Sequence, residues 1–239
     1  MDAMTPEAAV AHVVGTNPTF AIAPTVVRGV TYKAFQNVPP TVPALMDAGM
    51  AQHADGTADY LLYEGERWTY GEFCAEVRRT AQVLRGTFNI GKGDRVAIAM
   101  RNYPELLTLV LGISCTGATV VFLNAWWTTE ELEYALDDSA AKLVFADGPR
   151  VERLLPLVAN LSLTLVGVRD GEGMVEHAYT PLQTAASDAP LDTIIDTDDD
   201  FAVMYSSGTT GHPKGVVQTH RGSVNAVFSW LMQSVVAPL

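Results

Sequence analysis

The sequence is poor in cysteine, in basic charge and in long apolar runs, and each shortage excludes something. Its 239 residues hold two cysteines, Cys74 and Cys115. Two thiols in apolar segments, without ligand spacing, make neither a disulfide scaffold nor a thiolate metal site. They read as small core fillers, and a reducing cytoplasm is the compartment this usage fits. Basic residues number 15 against 27 acidic, a formal net charge of −12. That sign does not offer the positive surface that a nucleic acid or an anionic membrane attracts, although local donors can still hold a small anion such as a nucleotide. The most apolar tail, 224–239, is interrupted by Asn225, Ser229, Gln233 and Ser234. It is too short and too polar for a transmembrane segment. The first residues, Met1 to Glu7, lack the basic-then-apolar order of a signal peptide.

Apolar content is not lacking. With 48% hydrophobic and 18% charged residues, the chain can bury a core. Residues 1–40 carry Pro6, Pro18, Pro24, Pro39 and Pro40 and no sustained period, so a short helix near 6–14 and then an extended arm are expected. A helix over 41–53 and a hairpin turning at Gly65 follow. Thr69 to Glu72 is a capping box. The helix behind it sets Phe73, Val77, Thr80, Ala81, Leu84 and Phe88 on one face, with Arg78, Arg79 and Arg85 read as solvated charge.

Strands at 95–100, 119–123, 142–146 and 162–168 then alternate with helices at 104–116, 128–138 and 149–158, the last disturbed at Pro156. That alternation predicts a doubly wound, mostly parallel α/β sheet flanked by helices. The expected division is an arm over 1–40, a first α/β subdomain over 41–190, and the start of a second subdomain over 191–239. Asp196, Asp198, Asp199 and Asp200 lead into the last part; their spacing is not that of a metal site, and a solvated loop is expected.

The densest chemical signal lies in that last part. An apolar run from Phe201 to Tyr205 leads into Ser206-Ser207-Gly208-Thr209-Thr210-Gly211-His212-Pro213-Lys214-Gly215, and Val216-Val217 follows. Glycines bring backbone N–H groups close to a ligand, hydroxyls add donors and lysine adds a point charge. A strand–loop–strand of this composition suits phosphate. A Walker P-loop requires Ser or Thr after the lysine and a helix after the loop; here Gly215 follows Lys214 and a strand follows the loop. A ligand-free hairpin turn is the remaining reading from composition alone.

Residues 206–221 also resemble the phosphate-binding signature of the adenylate-forming superfamily, which comprises acyl-CoA synthetases, luciferases and peptide-synthetase adenylation domains. Upstream stretches resemble other parts of that family in the expected order: Trp68 to Phe73, Gly93 to Ile98 with Asn102 to Glu105, and Asn124 to Leu132. The Ser-Ser-Gly-Thr-Thr form of the loop and the Trp126-Trp127 pair are most similar to acyl-CoA synthetases. The resemblance implies a ligase (acid–thiol ligase, AMP-forming) that joins a carboxylic, here fatty, acid to AMP with release of pyrophosphate. The acyl group then passes to coenzyme A. Ser206, Ser207, Gly208, Thr209, Thr210, Gly211 and Lys214 would hold the ATP phosphates, with Mg²⁺ against Thr209 or Thr210. A homodimer is compatible with the sequence.

The same resemblance marks the chain as incomplete. Family members are more than twice this long, and the adenine pocket, ribose aspartate, hinge and adenylation lysine have no counterpart in 1–239. An N-terminal fragment of a longer synthetase, inactive alone, is therefore expected. A non-catalytic nucleotide-binding module and an adenylation domain loading a carrier protein stay open as alternatives. Tyr205 is expected as a strand-end core residue and His220 as a structural hydrogen bond or helix cap, with substrate contact the alternative; Trp126 and Trp127 are expected as a packing corner before a helix rather than an acyl pocket, and Phe228 and Trp230 as core packing, with lining of an acyl site the alternative.

Overall fold

The computed structural model describes residues 4–53, 55–206 and 213–237. The chain opens with α1 (Pro6–Thr16), capped by the Thr5 hydroxyl on the Ala8 N–H. The extended arm expected next is a β-hairpin, β1 (Ile22–Val27) paired antiparallel with β2 (Val30–Phe35). Its two-residue turn places Arg28 at φ 49° and Gly29 at φ 82°, the mirror-image turn whose twist matches that of paired strands. Then come α2 (Val42–Ala51) and a second hairpin, β3 (Asp59–Tyr63) with β4 (Glu66–Thr69). The capping box at Thr69 and Glu72 opens α3 (Tyr70–Gly86), which buries Phe73, Val77, Thr80, Ala81 and Leu84.

The alternating part follows as β5 (Arg95–Ala99), α4 (Pro104–Cys115), β6 (Thr119–Phe122), α5 (Thr129–Ser139) and β7 (Leu143–Ala146). Next are α6 (Gly148–Leu154), broken by a tight turn at Pro156 from α7 (Val158–Leu161), and β8 (Thr164–Gly167). A short β9 (His177–Ala178) and α8 (Tyr179–Ala185) precede β10 (Asp200–Ser206), β11 (Lys214–Thr219) and α9 (His220–Val236). Seven strands form one sheet in the order β11-β10-β6-β5-β7-β8-β9. Within it every pairing is parallel except β10 with β11.

Strand alternation sorts the core into two layers. Val96, Ile98, Leu143 and Phe145 face α3, α4 and α8, packing on Leu84, Leu109, Ile113 and Tyr179. Ala97, Ala99, Val144 and Ala146 face the other way, onto Leu132 and Leu136 of α5 and Val151 and Leu154 of α6. Helices on both faces make the sheet doubly wound. Across residue 190 the sheet is continuous, because Ala202, Val203 and Met204 pair with Val120, Val121 and Phe122.

The two cysteines sit in a satellite cluster with Phe73 and Val77. Burial raises both thiols, Cys115 to about 12, so neither supplies a thiolate at neutral pH. Arg85 is exposed, as expected for solvated charge, whereas Arg79 is half-buried. Arg85 donates to the Thr116 carbonyl at 3.2 Å, and Arg79 pairs with Glu76 at 3.1 Å.

Candidate functional site

The hairpin of β10 and β11 carries the Gly- and hydroxyl-rich connection. In register, Ser206, the last residue of β10, stands opposite Lys214, the first of β11, and both are exposed. Ser207, Gly208, Thr209, Thr210 and Gly211, with His212, lie outside the described residues. Because β10 runs parallel to β6, the connection leaves from the C-terminal rim of the parallel strands. Open α/β sheets bind their ligands at this rim.

The foot of the connection is anchored on its inner side. Tyr205 packs edge-on against Trp127, ring centroids 5.7 Å apart. Its hydroxyl lies 2.8 Å from Asp138 Oδ2 and 3.1 Å from the Ala135 carbonyl, both on α5. Burial first, then the Asp138 carboxylate, push the phenol up, so it stays a neutral donor. Gly215 is glycine for a steric reason: a Cβ there would come within 3.0 Å of Val203 Cγ1 and 3.4 Å of the Tyr205 ring. Tyr205 is thus the strand-end structural residue that the sequence suggested.

The next segment of the rim, Asn124 to Thr128, is fixed by arginines that sequence reasoning missed. Asn124 Oδ1 accepts the Trp126 N–H at 2.9 Å. Arg150 Nε donates to the Ala125 carbonyl at 2.8 Å, and Arg153 Nη1 donates to the Ala125 and Trp127 carbonyls at 3.1 and 3.0 Å. Arg150 is itself buried against fully buried Asp147, whose Oδ2 also accepts the Arg101 N–H. No local pattern marks these ties, because arginine and acceptor lie 25 to 28 residues apart. Trp127 packs against the core. Trp126 departs from the packing-corner expectation: it is 82% exposed, with the Arg150 guanidinium 5.8 Å from its ring centroid.

The far end of the β10–β11 hairpin, away from the connection, rests on ion pairs. Asp198 takes Arg221 in a two-point contact at 2.7 and 3.1 Å, Asp199 takes Lys92 at 2.7 Å, and Asp200 takes Arg28 at 2.8 Å. The acidic approach is therefore not merely solvated, as expected from sequence; it pins β10 to three distant elements. Hydrogen bonds from Arg221 hold the Asp198 carboxyl below the usual carboxylate range. His220 is 1% exposed, and its Nδ1 accepts the Val42 N–H at 3.2 Å. Burial pushes its imidazole down, and a neutral ring that already accepts a backbone bond is structural. On α9, Phe228 is buried as expected, whereas Trp230 is 70% exposed. The described residues contain no group of three or more His, Cys, Asp or Glu able to hold a metal ion, and no helix among them is long and apolar enough to cross a membrane.

Comparison with known proteins decides the family. The AMP-binding enzyme model matches residues 46–238. The chain belongs to the AMP-binding enzyme family. Among curated members, it is 36% identical over 166 residues to the long-chain-fatty-acid–CoA ligase FadD13 of Mycobacterium tuberculosis, covering 69% of this chain and 32% of that protein. It is 35% identical over 165 residues to 4-coumarate–CoA ligase 3 of Oryza sativa, covering 68% and 29%. The chain thus spans about a third of the length of these relatives. Among solved members, the N-terminal domain of FACL13 from Mycobacterium tuberculosis superposes with TM-score 0.69 at 29% identity, covering 80% of this chain and 47% of that domain. The family shares the α/β architecture described above, and this chain corresponds to its N-terminal portion.

Proposed function

We propose that this chain supplies the polyphosphate-holding part of an ATP-dependent acyl-CoA synthetase. Such an enzyme joins a carboxylic acid to AMP with release of pyrophosphate, then passes the acyl group to the thiol of coenzyme A. The observation that carries the reading is the meeting of Ser206 and Lys214 at the base of the 207–213 connection, on the C-terminal rim of the sheet. Residues 206–214 hold hydroxyls, glycines and a lysine but no carboxylate, a donor set that fits an anion and repels none. Similarity to FadD13 and to the 4-coumarate–CoA ligases supports a carboxylic acid and coenzyme A as the other substrates.

In this reading Ser206, Ser207, Gly208, Thr209, Thr210 and Gly211 surround the β- and γ-phosphates with N–H and O–H donors. Lys214 offsets the charge that gathers on the departing pyrophosphate. The attacking group is the substrate carboxylate, so the chain's part is to position and to stabilise charge. Mg²⁺, when bound, supplies further charge neutralisation across the phosphate oxygens, and the Thr209 or Thr210 hydroxyl is where this chain would touch it. Contacts to adenine and ribose, and the adenylation lysine, come from the rest of a synthetase, so residues 1–239 alone are expected to turn nothing over.

The test is carboxylate-dependent exchange of labelled pyrophosphate into ATP by the full reading frame. Lys214→Ala and Thr209→Ala are each expected to lower it on the order of 100-fold; full exchange in both variants would sink the reading. A carrier-protein thiol as acceptor is a second reading, supported by 31% identity over 205 residues to surfactin synthase subunit 2 of Bacillus subtilis. Comparing coenzyme A with a carrier protein as acceptor separates the two.

A further inference from the structure

One polar contact beside the phosphate connection breaks a local rule. The last turn of α5 carries two carboxylates, Asp137 and Asp138, and no basic residue offsets them. The negative end of the helix dipole lies there, so both charges stand against the local field. Both residues are exposed. Asp137 has no side-chain partner among the described residues. Asp138 has one: its Oδ2 accepts the Tyr205 hydroxyl at 2.8 Å, across 67 residues of sequence. A residue that breaks a local rule and bonds a distant one at the edge of a site is a candidate for a role there.

Tyr205 immediately precedes Ser206 and stands opposite Gly215 in the β10–β11 register. Its ring is confined by Trp127, with centroids 5.7 Å apart, and by Gly215, where a Cβ would crowd it. The carbonyl of Trp127 is held in turn by Arg153 at 3.0 Å. α5 is itself fixed, since Leu132, Ala135 and Leu136 are buried in the core layer against the sheet. A fixed helix therefore reaches both ends of the connection through one carboxylate and one phenol. Ser206 follows Tyr205 in the chain, and Lys214 is paired with Ser206.

We propose that Asp138 is a positioning residue of the phosphate site. Acting through the Tyr205 hydroxyl, it fixes where Ser206 and Lys214 stand and so sets the affinity for the ATP polyphosphate, which it does not touch. The inference rests on the synthetase reading above. Donors hold a ligand well only when kept within about 0.5 Å of their productive place. Without the carboxylate the phenol keeps only the longer bond to the Ala135 carbonyl, at 3.1 Å, and the end of β10 loses a charge-assisted tie.

The experiment uses the full reading frame and reads two constants. One is the dissociation constant of Mg·ATP by isothermal titration calorimetry. The other is the KM, in pyrophosphate exchange, for whichever of palmitate and 4-coumarate supports that exchange. Asp138→Ala and Tyr205→Phe are each expected to weaken Mg·ATP binding about tenfold and to leave the carboxylate KM unchanged. The double variant should bind no more weakly than either single one, because both substitutions break the same bond. Asp138→Asn keeps an acceptor oxygen and should restore most of the binding. Asp137→Ala removes the same charge from the same helix turn but breaks no side-chain bond, and should bind as the parent does. Parent-like binding in Asp138→Ala, additive losses in the double variant, or an equal loss in Asp137→Ala would each overturn the proposal. So would a rise in both constants together with a lower urea midpoint, which marks a bond that only stabilises the fold. A parent that binds Mg·ATP but exchanges no pyrophosphate counts against the synthetase reading, and the same pattern of binding losses then leaves the positioning role in place.

Discussion

β9 and β11 lie at opposite edges of the same sheet and are built on opposite terms. β9 is two residues long and is packed by α8 and by the 169–174 turn, with Phe88 edge-on to His177 at 5.3 Å. Short, covered edges of this kind resist unwanted pairing. β11 is six residues long and exposed over its first four, Val216 and Val217 among them. Between the edges, β5, β6 and β7 are buried almost throughout, with helices on both sides. The difference separates two tasks: the middle of the sheet supplies stability, and the β10–β11 end presents the loop on an exposed edge.

Substitutions can break this comparison or sharpen it. The largest effect belongs to the middle. Phe145 is fully buried against Tyr179, and Phe145→Ala is expected to cost about 3–5 kcal/mol in a urea unfolding titration. Next comes the tie between the regions. Tyr205→Phe removes the hydroxyl bonded to Asp138 and Ala135 and is expected to cost about 1 kcal/mol in the same titration.

A pH-linked contribution sits at the join of β11 and α9. Burial holds the His220 imidazole below its usual value, with Asp199 opposing and Lys92 assisting. The unfolded chain therefore takes up the proton first, and stability is full above about pH 6.5 and falls as pH drops through that value toward the folded-state value. Unfolding midpoints at two pH values either side of that window should differ less in His220→Asn than in the parent chain. The smallest effect is expected at the open edge, where Val217→Ser should change stability by no more than about 0.5 kcal/mol. A cost there as large as that of Phe145→Ala would erase the distinction between the regions.

Much of the middle was legible because its signals are local. The capping boxes at Thr69 and Glu72 and at Thr128 and Glu131 form within three residues, and each strand is a short apolar run between turn residues. The β1–β2 hairpin was not legible. Pro24 sits inside its first strand, and its turn is Arg28-Gly29 rather than an asparagine–glycine pair. The site was legible as composition, since Ser206 and Lys214 bracket the glycines and hydroxyls. The ties at the far end of the hairpin that carries it were not. Asp200 and Arg28 are 172 residues apart, and Asp199 and Lys92 meet only once β10 has joined the sheet. The fates of Trp126 and Trp230 were hidden for a related reason: an aromatic residue carries no local mark of whether a neighbour will cover it.

The division between a self-sufficient middle and an open end is tested most directly by native-state amide hydrogen exchange on residues 1–239. Amides of Val96–Ala99 and Leu143–Ala146 are expected to exchange only through global unfolding, and those of Val216–Gln218 through local opening, with protection lower by about 100-fold or more. Equal protection in β11 and in β5 would contradict the account.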